Sequence, residues 1–73
     1  MKEVVLYQTV RLITDKYLEQ GLKKGVEGIV LEKWDDENYE IQWFDDHGNT
    51  ITFCSFHIND FEPIQTHKKS ELS

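Results

Sequence analysis

The residues of this chain that could do chemistry are carboxylates in adjacent pairs, one thiol and three imidazoles. Asp35-Asp36 and Asp45-Asp46 are the pairs. A carboxyl that works as a general acid or base is buried in a cleft with a shifted pKa. These four sit instead in turn-forming runs, where Asp is favoured because its side chain bonds to the nearby backbone. No catalytic residue is assigned, and the chain is not expected to be an enzyme. Cys54 with His47 or His57 would be the nucleophilic alternative, but an active thiolate needs an accessible, cationic setting. Cys54 lies mid-strand between apolar neighbours and is expected to be a small buried hydrophobe. His47, His57 and His67 fall in no zinc-site spacing. The run Asp45-Asp46-His47-Gly48-Asn49 lacks the alternating oxygen ligands and terminal Glu of a calcium loop. No metal and no cofactor are expected.

What remains is charge. Between Glu27 and Glu62 lie ten acids and a single base, Lys33, so that segment carries −9 of a chain whose total is −6. A folded face of this kind repels nucleic acid and attracts cationic surfaces. The basic group Arg11, Lys16, Lys23 and Lys24 is too small to form the positive groove of a nucleic-acid-binding barrel. The expected partner is therefore a cationic protein, with no direct nucleic acid and no membrane. Its binding residues are expected to be Trp34, Asp35, Asp36, Glu37, Glu40, Phe44, Asp45 and Asp46, with the two aromatics as anchors beside the acidic turns. Two plainer readings stand beside this one: the acids serve solubility, and Trp34 and Phe44 are core residues.

Seventy-three residues suffice for one small domain with a modest core. Nine aromatics supply the area such a core needs. One cysteine allows no internal disulfide, which fits a reducing cytoplasm. The opening residues hold too short an apolar run for a signal peptide, and no segment approaches a membrane span. Residues 65–73 are polar and aperiodic and are expected to be a flexible tail, leaving residues 1–64 as the domain.

The elements that position these residues are strands. Tyr7–Ile13 alternates with β-branched residues; Val26–Trp34, Tyr39–Phe44 and Thr50–Phe56 follow, separated by Asp35-Asp36-Glu37-Asn38 and by Asp45 to Asn49. Phe61 to Ile64 makes a short last strand, where Pro63 suits an edge. One helical turn is expected within Asp15 to Gln20 and one 3₁₀ turn near His57 to Asp60. Val10, Leu12, Val30, Ile41, Trp43, Ile51 and Phe53 are the expected core. Gly28 inside the second strand marks a bulge or a close backbone approach. Ile29-Val30-Leu31 is apolar enough that both faces are expected to be covered. A long first loop, two tight hairpins and a short last strand form the layout of an all-β, five-stranded SH3-like barrel.

The run Gly21-Leu22-Lys23-Lys24-Gly25, with Gly28 and Val30, leads into Tyr39-Glu40-Ile41-Gln42-Trp43-Phe44-Asp45 and then Gly48 and Thr50. This pattern resembles a family of short bacterial SH3-like proteins of unassigned function, often found among toxin and immunity genes. The resemblance covers Val10 to Ile64 and brings no catalytic residues. It implies an immunity or inhibitor protein that neutralises a cationic toxin, such as a nuclease domain, by occlusion. The alternative is an accessory SH3-like structural domain of a larger enzyme or translation-linked assembly. A small stand-alone metal or ligand binder is a third possibility.

Overall fold

The computed structural model describes residues 4–64. The expected tail, residues 65–73, lies outside them. Five strands follow one another: β1 (Thr9–Leu12), β2 (Glu27–Lys33), β3 (Asn38–Phe44), β4 (Thr50–His57) and β5 (Phe61–Pro63). A 3₁₀ turn at Leu18–Gln20 lies in the long β1–β2 loop, and another at Ile58–Asp60 joins β4 to β5. The strands form one antiparallel sheet in the order β4-β3-β2-β1-β5.

The all-β class is as expected, but the sheet is open and not closed into a barrel. β4 and β5 are its two edges and do not pair with each other. β5 has only three residues, already paired to β1. One of them, Pro63, has no N–H with which to hold a second neighbour.

Period-two alternation along β3 buries Tyr39, Ile41 and Trp43. Val10, Leu12, Leu22, Val30, Phe56 and Phe61 complete the core. Its aromatics meet edge to face: Tyr17 with Phe56 at 4.9 Å, Trp43 with Phe56 at 5.5 Å and Tyr39 with Phe61 at 5.9 Å between ring centroids. Such pairs add about 0.5–1.5 kcal/mol each beyond the area they bury.

The fourth strand departs from expectation. Trp43 stands opposite Thr52 while Phe44 stands opposite Thr50, so Ile51 is an extra, bulged residue. Beyond the bulge, Thr52, Cys54 and Phe56 share the face of Trp43, Ile41 and Tyr39. Phe53 is thereby turned to the outer face and is 60% exposed, contrary to its expected burial. Ile51 is half-buried against the core. Cys54 lies on the core side but is exposed rather than buried, because β4 is an edge strand with no neighbour beyond it among the described residues.

Gly28 is a close approach and not a bulge. A Cβ there would lie 2.6 Å from the Gln42 carbonyl oxygen and 2.7 Å from Trp43 Cε3. The β2 bulge falls three residues later, at Leu31, between the pairs Val30 with Ile41 and Glu32 with Glu40. Ile29 and Leu31 are half-buried, so the outer face of β2 is less covered than expected.

Candidate functional site

β3 separates the acidic residues into two groups. Trp34, Asp35, Asp36 and Glu37 sit at the β2–β3 turn, whereas Asp45 and Asp46 sit at the β3–β4 turn. The seven residues of β3 between them span roughly 20 Å at the usual rise per residue. Glu40 and Phe44 lie on the outer face of that strand, toward opposite ends. The eight expected binding residues therefore make two sites joined by a strand.

In each turn one aspartate builds the turn. The backbone N–H groups of Glu37 and Asn38 donate to Asp35 Oδ1 at 2.8 and 2.9 Å, and the Asn38 amide donates at 3.0 Å. The N–H groups of His47 and Asn49 donate to Asp45 Oδ1 at 2.8 and 2.9 Å. Donation from Glu37 and Asn38 holds the Asp35 carboxyl below its ordinary pKa. Donation from Asn49 and His47 does the same for Asp45. Gly48, at φ 84°, closes the second turn in the left-handed region that favours glycine.

The remaining acids are available to a partner, to different degrees. At the β2–β3 end, Lys33 Nζ lies 3.3 Å from Asp36 and His57 Nε2 lies 3.6 Å from Glu37. His57 Nδ1 accepts from the Asn59 N–H, which leaves Nε2 facing Glu37. Trp34 is 55% exposed, so it is not a core residue. Glu32 and Glu40 stand directly opposite each other. Among the described residues neither has a cation within 4.0 Å, an arrangement that disfavours the sheet unless something positive covers it.

The β3–β4 end carries a groove of about 450 Å³. Gly28, Ile29 and half-buried Phe44 contribute to its lining, and Glu27, Asp45 and Asp46 supply its carboxylates. Glu27 stands opposite Phe44 in the ladder, which places an acid beside an aromatic. Arg11 stands opposite both Glu27 and Glu62, but its guanidinium is with Glu62, at 3.8 Å. Among the described residues, Glu27 and Asp46 form no ion pair. Glu27 was not among the expected binding residues; its register opposite Phe44 brings it in.

A third constellation was not expected from the sequence. The Tyr17 hydroxyl donates to Asp60 Oδ2 at 2.6 Å, and Lys16 Nζ lies 3.0 Å from Asp60 Oδ1. Asp60 is the buried charged residue of the described chain, at 5% exposure. Burial pushes its carboxyl up, but the Tyr17 hydrogen bond and Lys16 outweigh that and leave it below its ordinary value. Burial first, and then the bond to Asp60, push the Tyr17 phenol up to about 12. The trio fastens the long first loop to the 3₁₀ turn before β5, so its role is structural. Tyr17 and Asp60 are 43 residues apart, and nothing in the local pattern links them.

No cation among the described residues lowers the pKa of the Cys54 thiol. Burial and the charge of Glu40 raise its thiol pKa, which disfavours the thiolate. Among the described residues, no group of three or more His, Cys, Asp or Glu could hold a metal ion. Nor is any of their helices long and apolar enough to cross a membrane.

Residues 6–63 match the family described as Domain of unknown function (DUF4926), and the chain belongs to that family. No curated protein and no solved structure matches it.

Proposed function

We propose that this domain is a non-enzymatic protein-binding module that receives a cationic protein surface in the groove at the β3–β4 end. The observation that carries the reading is the pairing of carboxylates that form no ion pair among the described residues, Glu27 and Asp46, with a half-buried aromatic, Phe44, around one concave site. A lysine or arginine would meet the carboxylates, and its neighbouring apolar side chain would rest on Phe44 and Ile29. Charges of this kind mostly raise the association rate, while the apolar contact slows release. Trp34 with Asp36, Glu37 and the opposed Glu32 and Glu40 supplies a second contact area at the far end of β3, suited to a partner wide enough to span the strand.

The form of this reading that the charge favours is an inhibitor that occludes a cationic toxin, such as a nuclease domain, in a bacterial immunity setting. Strand order β4-β3-β2-β1-β5, with a 3₁₀ turn before β5, supports viewing the sheet as an SH3-like barrel left open between its edge strands. The test is capture from the source cells with the whole chain as bait, beside a Glu27→Gln/Asp46→Asn variant. The reading expects a basic protein retained by the first bait and depleted on the second. Equal recovery on both baits would refute it.

A further inference from the structure

The two edges of the sheet are treated differently by the sequence. β5 is protected in three ways: it is three residues long, it contains Pro63, and Glu62 places a charge on it. β4 has none of these protections. It runs for eight residues, Thr-Ile-Thr-Phe-Cys-Ser-Phe-His, with no proline, lysine or acid. Most of them are β-branched or aromatic, the types that favour pairing. The bulge at Ile51 twists only its beginning, which leaves Thr52 to His57 as a regular edge.

The phase of the ladder shows what that edge offers. The Ile58 N–H donates to the Glu37 carbonyl at 2.7 Å, so Asn38 and His57 form a non-hydrogen-bonded pair. By alternation, Phe56 and Cys54 exchange bonds with Tyr39 and Ile41. Ser55 and Phe53 therefore direct their N–H and C=O groups away from β3. Among the described residues β4 has no other strand neighbour.

We infer that the free edge of β4 is a self-association surface, which pairs antiparallel with the β4 of a second copy of this chain. An antiparallel edge is complementary to itself about a two-fold axis, because Phe53 and Ser55 of one copy can exchange bonds with the same residues of the other. Charge also selects this segment. In a chain of net charge −6, β4 is an eight-residue stretch on which two copies can meet without acid against acid. Antiparallel pairing sets the Asp45–Asp46 turn of one copy at the end of the joined sheet where the other copy carries His57 and its Asp35–Glu37 turn, with the two β4 strands lying between the acidic turns. Side chains of Phe53 from both copies then lie on one outer face, near enough to cover each other diagonally. A ten-strand sheet made this way extends a core that is small in one copy.

The experiment is sedimentation of the full chain in reducing buffer, at concentrations up to about 1 mM, where even a weak Kd registers. Two variants accompany it. Phe53→Lys/Ser55→Lys sets like charges against each other across the two-fold axis. Both positions are exposed, and position 55 stands opposite Glu40, so the second lysine also meets an acid within its own copy. Ser55→Pro removes an outward N–H without removing a bond to β3. A wild-type dimer that becomes monomeric in either variant, with an unchanged circular dichroism spectrum, supports the inference. A wild type that stays monomeric throughout overturns it, as does a folded variant that remains dimeric. If the edge instead takes an extended segment of a different protein, the wild type sediments as a monomer, and the inference fails in the same way.

Discussion

Gly28→Ala tests the packing of the sheet at its tightest point. The added Cβ would lie 2.6 Å from the Gln42 carbonyl oxygen, 2.7 Å from Trp43 Cε3 and 3.0 Å from Ile41 Cγ2. None of these is the free end of a flexible chain. The first is β3 backbone, and Trp43 and Ile41 are fully buried. Relief requires β2 to move away from β3 or the indole to shift within a filled core. Overpacking of this sort costs about 1–3 kcal/mol. For a domain of about 60–100 residues each kcal/mol lowers Tm by about 4–8 °C, so a cost of about 2 kcal/mol predicts a fall of about 8–16 °C. Thermal unfolding followed by circular dichroism measures it. Gly48→Ala is the comparison: φ there is 84° with nothing within 4 Å, so its cost of about 1–2 kcal/mol is conformational only. A Gly28→Ala melt equal to wild type within error would refute the close-approach argument and show that the two strands sit further apart than described.

Further outcomes follow from the titrating groups and turns. Tyr17 has a folded pKa of about 12 against an ordinary value of 10.0, so its contribution to stability is full below pH 10 and is lost as pH rises toward 12. Tyr17→Phe should abolish that alkaline loss and cost about 1–3 kcal/mol at neutral pH, because Asp60 loses a donor; urea unfolding at several pH values reads both. Asp60, Asp35 and Asp45 have lowered folded pKa values, so their contributions are present above the ordinary carboxylate range and fade as pH falls below about 4. Acid loss of stability should therefore begin there, and its pH dependence should be smaller in Asp60→Asn, which is already less stable at neutral pH because Lys16 loses its ionic partner. Asp45→Ala should lower Tm because it removes the acceptor of two backbone N–H groups, whereas Asp46→Ala should leave the melt unchanged.

Local periodicity made most of the fold legible. The alternation Tyr39, Ile41, Trp43 and the turn runs around Asp35 and Asp45 were enough to place β3, its face and both hairpins. Pro63 pointed to an edge strand, and Gly28 to a bulge or a close approach, of which the structure has the second. What failed was register. A single bulged residue, Ile51, decides which face Phe53 takes, and Ile51 carries no mark that distinguishes it from a paired one. Exposure of Cys54 depends on β4 being an edge, which is a property of strand order and not of the strand. The acids were legible as a charge excess at two turns, and the strand between those turns already implied that they fall at its opposite ends. Glu27 joined the site only through its pairing opposite Phe44. The Tyr17–Asp60 bond closes a 43-residue separation and has no sequence signature.

Acids around Phe44 that steer a cationic protein into the groove are the core of the proposed function. The most direct test is the association rate constant of the captured basic partner, measured at low and high salt for wild type and for Glu27→Gln/Asp46→Asn. Slower association of the variant is predicted at low salt, by about 10-fold at most, with the gap closing as salt rises and the exposed charges are screened. Equal on-rates at low salt would contradict it, leave the acids as solubility features, and move the binding surface to the basic first loop around Lys16, Lys23 and Lys24.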